Sequence, residues 1–110
     1  MANNEVRDTL QALFGDVAPK LADVTQKVVF DDIWQRPELS KRDRSVVTVA
    51  ALIAMNRAEQ LPAHLKRALD NGVTRAELEE IVTHLAFYAG FPCAITAARL
   101  THELYESLDG

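Results

Sequence analysis

An all-α fold of about six helices is what this chain predicts, and three observations predict it. Apolar residues recur at three-to-four spacing along most of the sequence. Capping and breaking residues punctuate that pattern at helix-length intervals. No segment shows the strict apolar–polar alternation of a half-buried strand. With 110 residues and only four Gly and four Pro, a single domain over 1–110 is expected, with little room for disorder.

Val6, Leu10, Leu13 and Phe14 lie on one face of an N-terminal amphipathic helix that Gly15 ends. Pro19 suits a helix start, and Leu21, Val24, Val28 and Ile33 continue an apolar stripe up to Trp34. Pro37 disfavours helical backbone at Arg36 and breaks the pattern there. Ser40 is a good N-cap, and Asp43 three residues on suits the positive end of the next helix. Val46 to Met55 is apolar nearly all round; its length and alanines favour a buried central helix over a strand.

Asn56 to Gln60 reads as a turn. Pro62 is tolerated only in a first turn, so the following helix starts near Glu59 or Gln60 and runs to Leu69, before Asn71-Gly72 stops it. Thr74 and Glu77 have capping-box spacing and open a helix that carries Leu78, Ile81, Val82, Leu85 and Phe87. Gly90 ends it, and Pro92 restarts the chain in a last helix with Ile95, Ala98, Leu100, Leu104 and Leu108.

The net charge of -4 and a pI near 5.3 argue against a nucleic-acid partner, because phosphate binding needs a basic face. No apolar run approaches the ~20 residues that cross a bilayer. The first residues have neither the basic nor the apolar region of a secretion signal, so a cytoplasmic location is expected. Cys93 is the one cysteine, which excludes an intrachain disulfide and suits a reducing compartment.

Candidate chemistry rests on the histidines and arginines. His64 falls on the apolar face of its helix beside Leu61, Leu65 and Ala68. It reads either as an acid–base group or as a half-buried ring bonded to a carbonyl. His84 shares a face with Tyr88 and with Glu80, whose carboxylate stands four residues before it, the spacing at which it can hold an imidazole; an ordinary helix pair is the alternative. His102 has no partner pattern. Arg36, Arg42 and Arg44 gather at the start of the central helix, as an anion site or as solvated ion pairs with Asp32, Glu38 and Asp43. Neither His64 nor His84 has the close ligand set of a metal motif, so no metal and no other cofactor is expected. Cys93 follows Pro92 at a helix start, as a thiol activated by the dipole or as a small buried side chain.

One ordered set of motifs carries more. Trp34-Gln-Arg36-Pro37-Glu-Leu39-Ser40-Lys-Arg42-Asp43-Arg44, Leu61-Pro-Ala-His64, Asn71-Gly72-Val73-Thr74-Arg-Ala-Glu77, His84 and Tyr88-Ala-Gly90-Phe-Pro92 follow one another. In that order they resemble the carboxymuconolactone decarboxylase family, whose relatives include the alkylhydroperoxidase D-like peroxidases. The resemblance implies an all-helical subunit of the alkylhydroperoxidase D-like type in a homo-oligomeric ring, a trimer or hexamer. It implies a cofactor-free lyase that converts 4-carboxymuconolactone, or a related carboxylated lactone, during aromatic-compound breakdown.

On that basis Arg44 or Arg57 anchors a substrate carboxylate and Trp34 or Tyr88 walls the pocket. Gln60 and Glu80 are further substrate-binding candidates. His64 returns a proton to carbon, with His84 as a second catalytic candidate. The peroxidase branch carries a Glu, a Cys-x-x-Cys pair and a His four residues after the second Cys. With that His set on His64, the thiol positions fall on Arg57 and Gln60 and the Glu position on Ser45, so a peroxiredoxin-related peroxidase is disfavoured. A family member without decarboxylase activity, acting as a ring-forming binding module, stays open.

Overall fold

The structure is a computed structural model that describes residues 3–110. It contains six α-helices, and no strand forms among the described residues. The chain divides into two compact units, residues 1–41 and 42–110.

In the first unit, α1 (Asn3–Leu10) runs on into a π-helical stretch, Gln11–Gly15. The turn after it is closed by Val17 N–H and Ala18 N–H, which both donate to the Phe14 carbonyl at 3.1 and 2.8 Å. Pro19 then opens α2 (Pro19–Val24), where its fixed φ and missing N–H cost nothing. α2 widens into a second π-helical stretch, Thr25–Phe30, and a 3₁₀ turn, Ile33–Gln35, ends the unit's helical structure. Val6, Phe30 and Trp34 form its buried cluster, with Leu10 packed against them.

The stripe expected to be buried here is not the one buried. Leu21, Val24, Val28 and Ile33 are 58%, 38%, 47% and 43% exposed. Ala22, Gln26, Phe30 and Trp34 are buried instead. The π-helical stretch takes more residues per turn than an α-helix, which turns Gln26 and Phe30 inward, between Ala22 of α2 and Trp34 of the 3₁₀ turn. The Gln26 side chain is drawn inside, where its amide donates to Asp31 Oδ1 at 2.8 Å.

In the second unit α3 (Lys41–Ala54) begins one residue after Ser40, and the break at Pro37 stands as expected. α4 (Leu61–Asp70) carries Pro62 in its first turn. α5 (Arg75–Ala89) opens on a complete capping box, with Glu77 N–H donating to Thr74 Oγ1 at 3.1 Å and Thr74 N–H to Glu77 Oε1 at 2.9 Å. Gly90 separates it from α6 (Phe91–Asp109) at φ 106° and ψ 148°, a conformation essentially closed to residues with a Cβ.

The core takes Val49 and Ile53 from α3, Leu61, Leu65 and Ala68 from α4, Val73 from the turn, Leu78 and Val82 from α5, and Ala94 and Ala97 from α6. Alanines at the α6 positions let the helices approach closely. Full burial of a Leu such as Leu65 contributes about 1.5–3 kcal/mol. Two polar contacts bind the ends of this unit: Asn71 Nδ2 donates to buried Ser45 Oγ at 3.0 Å, and Arg75 forms a fork with Asp109 at 2.7 and 2.9 Å.

α3 is less enclosed than its apolar sequence suggests. Ser45, Val49 and Ile53 are its buried residues, and Val47 is 59% exposed. Within the second unit the other helices cover one face of this helix, where they share its core.

Candidate functional site

α4 places its chemistry through its own pitch. Leu61, Leu65 and Ala68 turn into the core, and His64 and Arg67, three residues apart, share the neighbouring face. Both are half-buried. Arg67 Nη1 stands 3.1 Å from His64 Nδ1 and 3.4 Å from Nε2, and as a donor it can bond only the ring nitrogen that carries the lone pair. Burial, and then the Arg67 cation, push the His64 pKa down to about 4. At neutral pH the ring is therefore uncharged and holds one proton and one lone pair. Burial also lowers the Arg67 pKa, which the charge of Asp70 partly offsets.

Sequence reasoning put His64 on this face and missed Arg67. The signal was present: an i,i+3 partner on the one helix whose histidine lies beside the core. The thiol positions of the peroxidase pattern, Arg57 and Gln60, lie exposed in the turn before α4. That turn is held by Arg57 N–H on the Leu52 carbonyl and Leu61 N–H on the Arg57 carbonyl, at 2.9 and 3.1 Å. Asn56 takes the left-handed conformation within it, φ 55°, which Asn tolerates.

His84 and Tyr88 sit together one turn apart on α5, rings stacked with centroids 4.8 Å apart. Tyr88 is 79% exposed. Glu80 does not hold His84: among the described residues no hydrogen bond or ion pair joins them, and the ring contact with Tyr88 takes that place.

Of the arginines at the start of α3, Arg42 pairs with Asp43 at 3.2 Å and with Glu77, and Arg36 pairs with Glu38 at 3.6 Å. Arg44 is half-buried on α3. Trp34 is a core side chain of the first unit, its ring 6.4 Å from that of Phe30 and nearly parallel to it.

Cys93 is half-buried against the core, as a small apolar side chain. His102, expected to have no partner, lies 2.6 Å from Glu106 one turn on, at a solvent-exposed position. Among the described residues no cluster of three His, Cys, Asp or Glu side chains could hold a metal. No helix among them is long and apolar enough to cross a membrane. A shallow apolar groove between α5 and α6, lined by Val82, Phe87, Phe91 and Ile95 among others, has no ionisable side chain and so offers no acid or base.

Within an all-helical unit, α4 thus sets a half-buried, uncharged histidine against an arginine. Residues 19–103 match the carboxymuconolactone decarboxylase family, and the chain belongs to it. The chain is 37% identical to a 4-carboxymuconolactone decarboxylase of Acinetobacter baylyi over 82 residues, 74% of this chain and 61% of that protein. It is 38% identical to a nitrosuccinic acid decarboxylase of Metarhizium robertsii over 71 residues, 64% of this chain and 50% of that protein. The matches thus span only half to three-fifths of the length of these relatives.

Proposed function

We propose that this chain is a cofactor-free decarboxylase acting on a carboxylate attached to an electron-accepting framework, with 4-carboxymuconolactone or a related carboxylated lactone of aromatic breakdown as the substrate. The observation that supports this reading best is the half-buried His64 against Arg67, in a chain related to two decarboxylases. Those two relatives' names share a chemistry. An unsaturated lactone and a nitro group both accept the electron pair that carbon dioxide leaves behind. Each compound also carries a second carboxyl group that stays.

The step balances without a cofactor. The bond between carbon and carboxylate breaks, carbon dioxide leaves, and the electron pair passes into the conjugated lactone as an enolate. A proton then returns to carbon, and solvent restores it to the donor. In this reading Arg44 or Arg57 anchors a carboxylate, Trp34 or Tyr88 walls the pocket, Gln60 and Glu80 contact substrate, and His64 carries the proton with His84 as second candidate.

The exposed apolar side chains of α5 and α6 (Phe87, Tyr88, Phe91 and Ile95) support association into a homo-oligomer, and the reading takes that oligomer as a trimer or hexamer of a cytoplasmic enzyme. The same exposure favours the second reading, a family member that binds without decarboxylating. His84, Tyr88, Arg57 and Gln60 are all open in the single chain, and decarboxylation needs a dry wall.

The assay that separates the two follows ultraviolet loss of 4-carboxymuconolactone together with carbon dioxide release by the assembled protein. Turnover supports the enzyme. Its absence in a correctly assembled sample supports the binding module.

A further inference from the structure

The first unit contains a cleft whose lining residues take no part in the proposed decarboxylation. We propose that it is a binding site for a small hydroxy acid: the carboxylate rests against Arg7, and the hydroxyl donates to Gln26 Oε1.

Gln26 carries this inference. Its side chain is 3% exposed, yet its Oε1 is shut off from solvent and accepts no hydrogen bond among the described residues. Asp31 settles which end of the amide is which. An ionised carboxylate only accepts, so the nitrogen faces Asp31 Oδ1, at 2.8 Å, and the oxygen is the atom left over. A buried acceptor without a donor costs stability that an apolar side chain of the same size would not. Gln26 is turned inward by the π-helical stretch Thr25–Phe30, and widened turns of this kind recur at functional sites.

The surroundings fit a ligand larger than water. Gln26 lines a cleft of about 320 Å³, within the range that holds small molecules. A single water takes up only roughly 30 Å³. Arg7, Leu10 and Gln11 reach the cleft at helical spacing from one side, and Ala22, Asp23, Gln26 and Lys27 do so from the other. Leu10 and Ala22 supply an apolar wall for a short carbon chain. Asp23 and Lys27 pair with each other at 3.1 Å, so Arg7 leaves the lining with one positive charge in excess. A guanidinium matches a carboxylate as a fork. The hydroxyl reaches Gln26 Oε1 by a turn about the terminal torsion of that side chain, which is soft.

The experiment follows the ¹H–¹⁵N signals of the full chain, side-chain amides included, as 5-hydroxypentanoate or hexanoate is added. The two probes differ by a hydroxyl in place of a methyl group. No turnover is needed, so the outcome is independent of the decarboxylase reading. The hydroxy acid is expected to bind roughly two- to tenfold more tightly, the worth of one buried hydrogen bond, and to shift the Gln26 side-chain amide. Arg7→Gln should weaken both probes and keep the preference between them. Gln26→Met should bind hexanoate and lose the preference. Equal affinity for the two probes in wild type, or a preference that survives Gln26→Met, overturns the role of Gln26. Should that variant fail to fold, the wild-type affinities and the Gln26 amide signal decide. Undiminished binding in Arg7→Gln overturns the carboxylate anchor. Binding of neither probe, as for an oxygen that meets only water, overturns the site.

Discussion

Asn71 Nδ2 donates to Ser45 Oγ at 3.0 Å, pinning the residue that ends α4 to the most enclosed hydroxyl of α3. Ser45 is 1% exposed, and the family resemblance assigns to it the position of the glutamate of the peroxidase branch. A neutral, satisfied hydroxyl is what this core accepts there. A carboxylate there would have to be desolvated in the core.

Ser45→Ala is accordingly expected to lower stability by about 0.5–1.5 kcal/mol, the net worth of one buried hydrogen bond. Urea denaturation measures it. Ser45→Glu should cost more, and a Ser45→Glu protein as stable as wild type would contradict the packing described here.

Gly90 sets the break between α5 and α6. At φ 106° and ψ 148° nothing crowds a Cβ within the space around it closer than Pro92 Cδ at 3.9 Å, so the penalty of a side chain is conformational. Gly90→Ala is expected to cost about 1–3 kcal/mol in thermal or chemical unfolding. A change of less than a few tenths would mean that the connection relaxes freely.

His64 makes stability depend on pH, and the sign follows from its lowered pKa. The unfolded ring takes up a proton near pH 6.5 and the folded ring only near 4. Between those values the unfolded state binds more protons, so the contribution is fully present above 6.5 and is lost as pH falls toward 4. Denaturation midpoints measured across this window should fall less steeply in His64→Gln than in wild type. Parallel profiles would show that the ring titrates as in the unfolded chain.

Cys93 packs as a small apolar side chain, and nothing in the second unit presents it with a resolving thiol. Any hydroperoxide turnover by this protein should therefore survive unchanged in Cys93→Ser. Loss of such turnover in that variant would revive thiol chemistry.

Much of the second unit was legible in the sequence, because local signals and global packing agree there. The Thr74–Glu77 box, Pro62 in a first turn and the glycine after Ala89 each perform the role that their chemistry dictates. The first unit misled for a physical reason. Leu21, Val24, Val28 and Ile33 have α-helical spacing, but the chain passes from α-helix through a π-helical stretch to a 3₁₀ turn, and Ala22, Gln26, Phe30 and Trp34 lie inward instead. His64 was legible from its apolar neighbours. Arg67 was not singled out, because a lone arginine one turn along reads as a solvated charge until its distance to the ring is known.

The central claim is that His64 moves the proton in decarboxylation, and a rate comparison tests it most directly. Turnover of 4-carboxymuconolactone by His64→Ala, in a protein that keeps wild-type assembly and helicity, is expected to fall by roughly two to four orders of magnitude. A loss of less than about tenfold would contradict the account and pass the proton to another group.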